Sequence, residues 1–186
     1  MTPLPFPVLR DEAVLLRPWH FDDVEQMLAA FSDPVFREHS DWAPTTDSEV
    51  RQALVDGEEA RQQGTKLDLA VVDPDLPHLI LGGVSLNWVD PVQARAAVGY
   101  WLAPAARGRG VASRAVRLLT GWAFDVLQLQ RLELTCGPDN IGSQRVAERT
   151  GFTREGLLRS HMAFKGRRRD TLLFSLLPGE LGDSGR

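Results

Sequence analysis

The stretch from Val98 to Ser113, VGYWLAPAARGRGVAS, limits the possible folds more than any other part of the chain. Val98 to Leu102 is an apolar run of the kind found in buried strands, and Pro104 closes it. Arg107, Gly108, Arg109 and Gly110 then form a tight cationic turn, and a helix is expected from about Val111. Strand, glycine turn and helix start is an arrangement that binds phosphate. The first N–H groups of a helix lack intrahelical partners, the dipole is positive at that end, and glycine lets an anion approach the backbone. The arginines add charge-assisted hydrogen bonds. Three readings fit the turn taken alone. It is a plain strand-to-helix connection with solvated arginines. It is the turn of a dinucleotide fold, because Gly108 to Ser113 matches G-x-G-x-x-G except for Ser113 in the last place, with Glu133 about 20 residues on. Or it is an R-x-x-G-x-A pattern made by Arg107, Gly110 and Ala112. A P-loop is excluded, because no Gly-Lys-Ser/Thr follows.

The order of elements separates these readings. Residues 1–12 contain three prolines and read as an extended arm. Ala13 to Arg17 is a short strand, and Phe21 to Phe31 an amphipathic helix stopped by Ser32-Asp33-Pro34. A polar and aromatic segment runs from Phe36 to Asp47. A second helix follows from about Ser48 to Gln63, capped by Ser or Asp and ended by Gly64. Strands are expected at Leu67–Val72, at Leu79–Trp88 with a Gly82-Gly83 interruption, and at Ala96–Leu102. They are joined by turns and should pair antiparallel. The helix after the glycine turn places Val111, Ala115, Leu118, Leu119, Trp122, Ala123 and Val126 on one face. A strand at Arg131–Cys136 and a short helix at Ile141–Arg149 come next. Two strands, near 152–164 and 170–177, follow, joined by the basic turn Lys165 to Arg169. The order β-α-α-β-β-β-α-β-α-β-β is an α/β (α+β) mixed sheet, with residues 13–177 as one domain and residues 178–186 as a flexible tail. A dinucleotide fold would place its glycine turn after the first strand, so this order weakens that reading.

Composition narrows the function. Of 186 residues 43% are apolar and 25% charged, ordinary for a globular domain, and the net charge of −4 argues against a general nucleic-acid binder. The single cysteine, Cys136, makes neither an internal disulfide nor a cysteine-rich metal site, and fits a reducing cytoplasm. The first residues lack the basic and apolar regions of a signal peptide. No run approaches the roughly 20 apolar residues of a membrane span.

A second motif makes the assignment specific. Asn140-Ile-Gly-Ser143 is followed by Ala147-Glu148-Arg149-Thr150-Gly151-Phe152, about thirty residues after the glycine turn. Together with Arg107, Gly110 and Ala112, this resembles the GCN5-related N-acetyltransferase (GNAT) family. Leu16-Arg17-Pro18-Trp19, Glu155 to Arg159 and Gly166 to Asp170 are similar to the RimJ/RimL branch, which acetylates protein N-termini. The resemblance spans roughly residues 13 to 177. It implies the GNAT fold and acetyl-CoA, or another acyl-CoA, as co-substrate. Pantetheine would lie in a gap between splayed strands, pairing near Tyr100, Trp101 and Leu102 as an added strand would. Pyrophosphate would rest on Gly108, Arg109, Gly110, Val111, Ala112 and Ser113, with charge from Arg107 and Arg109. Asn140 would orient the pantetheine or nearby backbone.

The chemistry implied is direct attack of an amine on the thioester in a ternary complex, with strand N–H groups stabilising the oxyanion. Many members carry a Tyr seven residues after the motif Asn; here that position is Ala147, and Ser143 becomes the candidate proton donor or, more simply, a helix-cap residue. Relatives often carry Glu before Val-Gly-Tyr-Trp, where this chain has Ala97. Glu133, His161 or a water chain are then candidate bases, although a salt-bridged Glu133 and a structural His161 are the simpler readings. The two departures also fit a non-catalytic acyl-CoA-binding regulatory module, and succinyl-CoA is an alternative donor for a small-molecule amine. From Phe31 to Ala60 acidic residues outnumber Arg eight to two. That favours a cationic acceptor, such as a peptide N-terminus, an aminosugar or a polyamine, or marks a solvated helix face. Trp42, Trp88 and Phe36 form an aromatic wall or pack the core. The late strands, with their basic turn, offer a surface for a homodimer.

Overall fold

The computed structural model describes residues 2–181. Residues 182–186 of the expected tail lie outside the described residues. The strands are β1 (Leu9–Arg10), β2 (Leu15–Arg17), β3 (Leu67–Val72), β4 (Ile80–Asp90), β5 (Arg95–Leu102), β6 (Arg131–Cys136), β7 (Thr153–Phe164) and β8 (Arg167–Leu176). The helices are α1 (Val24–Phe31), α2 (Pro34–His39), α3 (Asp47–Gln62), α4 (Val111–Asp125) and α5 (Ile141–Arg149). One eight-stranded sheet has the order β1-β2-β3-β4-β5-β6-β8-β7. The expected sequence of elements is present, with β1 added inside the extended N-terminal stretch and α2 inside the polar aromatic segment. The dinucleotide reading ends here. The glycine turn follows the fifth strand, and β5–β6 is the one parallel pair among the described residues.

Several boundaries moved for local reasons. α1 stops at Phe31 as expected, but Asp33-Pro34 also starts the unforeseen α2: the Asp33 carboxylate accepts from the Phe36 N–H at 3.0 Å, with Pro34 in the first turn. The cap of α3 is Thr46, in a reciprocal box with Glu49, instead of Ser48 or Asp47. Within α3 only Val50 is fully buried, and Asp47, Glu49, Asp56, Glu58 and Glu59 are exposed, so most of the acidic excess is a solvated face. In α4 Val111, Ala115, Leu119 and Ala123 of the expected apolar face are buried, Leu118 and Trp122 are half-buried against the core, and Val126 lies past the helix end and is 55% exposed. Gly82 and Gly83 do not interrupt β4. A Cβ at Gly82 would collide with the backbone of Trp101, and one at Gly83 with its indole, so the glycines make room for that residue. The basic turn is only Lys165-Gly166, both with positive φ (50° and 73°), and Arg167 to Arg169 belong to β8.

The sheet is covered on both faces. Alternate residues of β3 face opposite sides: Leu67, Leu69 and Val71 join α4 in the larger core, while Ala70 and Val72 face the other way. On that second side α1 and α3 contribute Val24, Met27, Phe31 and Val50, with Trp19 and Trp101 packed against them. Two irregularities shape the middle of the sheet. Parallel pairing of β5 with β6 stops after Arg95↔Arg131, Ala96↔Leu132 and Ala97↔Glu133. The last strand in sequence, β8, is inserted between β6 and β7, pairing with β6 from Leu132↔Leu176 to Cys136↔Leu172. β6 therefore keeps a partner on one side while it loses β5 on the other.

The entry of the chain is held by a bidentate ion pair. Arg17 Nη1 and Nη2 donate to the two Asp23 oxygens, each at 2.8 Å, and the His20 N–H donates to Asp23 Oδ2 at 2.8 Å. Asp23 is only 3% exposed. Burial alone would raise its carboxyl pKa, but Arg17 and the His20 N–H outweigh burial and hold it below the usual carboxylate range. A lowered native pKa stabilises the fold above the unfolded pKa, and this contribution fades as pH falls through the native one. Asp23→Ala is therefore expected to cost about 3–5 kcal/mol in urea unfolding at pH 7, because it strands a largely buried guanidinium. The gap to wild type should narrow as pH drops below about 4. A pH-independent difference would show that Asp23 acts by packing alone.

Candidate functional site

The divergence of β5 and β6 opens a cleft of about 980 Å³. Val98 to Leu102 form one wall and Leu134 to Gly137 the other. Asn140 to Ser143, at the start of α5, close one end, and Arg107, Gly108 and Ala112 mark the other. Beyond Ala97 no strand among the described residues pairs with β5 on its β6 side, so the backbone groups that point there are open to an extended ligand.

At the α5 end three predicted residues meet. The Asn140 carboxamide oxygen accepts from the Ser143 N–H at 3.0 Å and caps α5. Ser143 is 9% exposed, and its hydroxyl accepts from the Tyr100 phenol at 3.1 Å. Burial pushes the Tyr100 phenol up to about 12, against the opposing effect of the Ser143 bond, so it stays protonated at neutral pH. The sequence points to Tyr100 only for its strand backbone; the phenol–hydroxyl pair escapes sequence reasoning, because it joins residues 43 positions apart. The Ala147 side chain is fully buried in the core, so that position has no room for a tyrosine ring. Cys136 lines the cleft beside Ser143, and burial pushes its thiol above the ordinary range.

At the opposite end the turn has the backbone an anion needs. Gly108 and Gly110 have φ of 74° and 78°, and a Cβ built on either would stand in open space. Glycine is needed here for conformation, and the space above the turn is left clear. No side chain caps α4, whose first helical bond runs from the Arg114 N–H to the Gly110 carbonyl at 3.1 Å. Val111 is buried and offers only its N–H, Ser113 is half-buried, and Arg109 is exposed. Arg107 also acts as a tether. Its Nη2 donates to Asp33 at 2.6 Å and to the Leu102 carbonyl at 3.3 Å, tying α2 to the turn. The Arg107 hydrogen bond holds the Asp33 carboxyl below the usual carboxylate range.

Other candidates are not brought to the cleft. Glu133 stands beside Ala97 in the last parallel pair, but its carboxylate accepts from Arg131 Nε at 2.8 Å and it does not line the cavity. Arg131 also forks onto Glu155 at 2.8 and 2.6 Å, so the expected catalytic Glu133 is part of an ion-pair network. His161 is exposed, with Nδ1 2.6 Å from Thr171 Oγ1, and also lies outside the lining. Trp88 sits on a bulge at φ 50° and is 77% exposed, away from the cleft. Trp42 and Phe36 do line it, with Trp19 and Trp101, which stack at 5.9 Å between ring centroids. Sequence reasoning also missed Ser85 and Asn87 on β4, where Asn87 Nδ2 donates to Ser85 Oγ at 2.9 Å. Two polar residues alternating within an otherwise apolar strand were the available signal. Among the described residues no group of three or more His, Cys, Asp or Glu is placed to hold a metal ion, and no helix is long and apolar enough to cross a membrane.

Known proteins share this arrangement. Residues 13–153 match the acetyltransferase (GNAT) domain family. The chain is 31% identical over 175 residues to the "Uncharacterized N-acetyltransferase p20" of Bacillus licheniformis, covering 92% of this chain and 97% of that protein. It is 35% identical over 80 residues to the ribosomal-protein-serine acetyltransferase of Escherichia coli, covering 43% of this chain and 45% of that one. Among solved structures, Mycobacterium smegmatis RimJ in complex with CoA-disulfide superposes with a TM-score of 0.86 at 25% identity, covering 97% of this chain and 92% of that one. With the splayed strands, the glycine turn and the capped α5 all in place, the chain belongs to the GNAT family of acyl-CoA-dependent N-acetyltransferases.

Proposed function

We propose that this N-acetyltransferase transfers the acetyl group of acetyl-CoA directly to a primary amine, a protein or peptide N-terminal α-amine being the leading class, within a ternary complex. The observation that carries the reading is the β5–β6 divergence, which leads from the uncapped start of α4 to the Tyr100–Ser143 pair in one continuous cleft. The residues present fit the co-substrate. N–H groups from Gly108 to Ser113 and the exposed Arg109 hold pyrophosphate, with Arg107 fixing the turn from below. Unpaired backbone of Val98 to Leu102 holds the pantetheine arm, and its N–H groups are the donors available to a developing oxyanion.

Ser143 and Tyr100 supply the proton for the leaving sulfur. The Ser143 hydroxyl is held by the phenol, and the phenol remains neutral because burial opposes its ionisation. Asn140 is a positioning residue, fixing the first turn of α5 and with it Ser143. No carboxylate of the cleft is assigned as base. An α-amino group has a pKa of about 8, so a useful fraction is already neutral at physiological pH, and the proton its nitrogen sheds as the amide forms returns through solvent to the Tyr100–Ser143 donor. Ribosomal-protein acetylation by the E. coli relative supports a protein N-terminus as acceptor.

Calorimetric titration should show acetyl-CoA binding and no NAD binding, and acetyl transfer to a peptide α-amine should follow; failure to bind acetyl-CoA would overturn the reading. Ser143→Ala should lower kcat by about a hundredfold, the lower range for a lost general acid, with acetyl-CoA affinity nearly unchanged. Turnover equal to wild type across a panel of amines would leave Ser143 as a structural residue of α5. Gly110→Asp should weaken CoA binding by at least about tenfold, since like charges brought together cost several kcal/mol. A folded Gly110→Asp protein with unchanged affinity would remove the pyrophosphate from this turn.

A further inference from the structure

A second cavity of about 490 Å³ adjoins the cleft, and Trp19, Trp42, Asp68 and Trp101 line both. It lies between the entry strand, α1 and α3, on the face of the sheet opposite α4. Its lining is dominated by Phe6, Phe21, Met27, Phe31 and Leu54. The aromatic rings are ordered by one another: Phe31 meets Trp42 and Trp101 edge-on, each at 4.7 Å. Most charges at its rim are already matched. Arg61 pairs with Glu58 at 2.8 Å and Lys66 with Asp68 at 2.8 Å, which leaves Glu59 as the exposed carboxylate of the lining outside these pairs. Apolar walls with most of their charges already paired suit an apolar guest.

Resting on the transfer reading above, we infer that this cavity is the side-chain subsite of the acceptor, and that the preferred acceptor is a primary amine carrying a bulky apolar or aromatic group next to the amine. With the amine in the cleft beside β5, the group behind it crosses the Trp42–Trp101 boundary into the second cavity. An N-terminal residue with a large apolar side chain and a free arylalkylamine share this chemistry. A small amine leaves the cavity empty, and a polyamine is the competing guest, since Glu59 and the aromatic faces could receive its second ammonium without filling the apolar volume.

The test is a comparison of kcat/KM at saturating acetyl-CoA for phenylalaninamide, phenethylamine, glycinamide and spermidine, with acetyl-CoA binding measured separately by calorimetry. Phenylalaninamide should exceed glycinamide by at least about tenfold, the order expected for burying one such side chain. Phenethylamine as the better substrate would point to a free amine as the source of the group, and phenylalaninamide to a peptide N-terminus. Ala53, on α3, lines only the second cavity, so Ala53→Trp, or the milder Ala53→Leu, should shrink the phenylalaninamide-to-glycinamide ratio severalfold. Equal rates for all four amines, preference for spermidine, or an unchanged ratio in a folded Ala53 variant would overturn the subsite. Turnover without aryl preference would do so while leaving the transfer reading intact, whereas no acetyl-CoA binding would overturn both.

Discussion

Everything at the centre of this protein depends on a ladder that stops early. β5 and β6 pair over only three residue pairs before they separate. Parting two buried strands leaves backbone groups without partners, which is costly unless something else satisfies them. β6 is compensated by β8, which returns from the end of the chain to pair along its other edge from Leu132 to Cys136. β5 is held on its other side by β4, with Gly82 and Gly83 making room for Trp101. The gap is therefore stable with its inner edges open, and an extended ligand can complete the hydrogen bonding that the sheet leaves undone.

The polar groups around the gap divide into two kinds. Arg107 and Asp33 bind each other and fasten α2 to the glycine turn, and Arg131 links Glu133 and Glu155 at the point where the strands part. These pairs hold the edges of the site in place. Tyr100, Ser143 and, at the uncapped start of α4, Ala112 instead line the cavity. The phenol is kept neutral by burial and can give a proton, and the uncapped helix start can receive negative charge. The two ends of the cleft thus suit the two ends of a long, anionic thioester.

Much of this was legible one residue at a time. The apolar strand, the glycines at positive φ, and Asn140 three residues before Ser143 are local signals, because turns and caps are built from neighbours in sequence. The starts of α4 and α5 therefore fell where expected. Asp33-Pro34 ended α1 where expected, but α2 was not foreseen, because the same residues can end one helix and cap the next. Trp88 misled because hydrophobicity does not reveal a bulge that turns a side chain outward. The Tyr100–Ser143 bond and the insertion of β8 were illegible, since each joins segments far apart in the chain.

By itself the sequence determined the element order, the glycine turn and the family, since each rests on residues a few positions apart whose backbone preferences are intrinsic. Only the tertiary structure decided which of the candidate side chains reach the cleft. Glu133 and Tyr100 both sit on central strands beside the gap, and composition could not rank them. Packing put one carboxylate into an ion pair outside the cleft and one phenol against Ser143 inside it. The physical reason is that a side chain's availability is set by the partners that folding brings to it, and those partners come from distant parts of the chain.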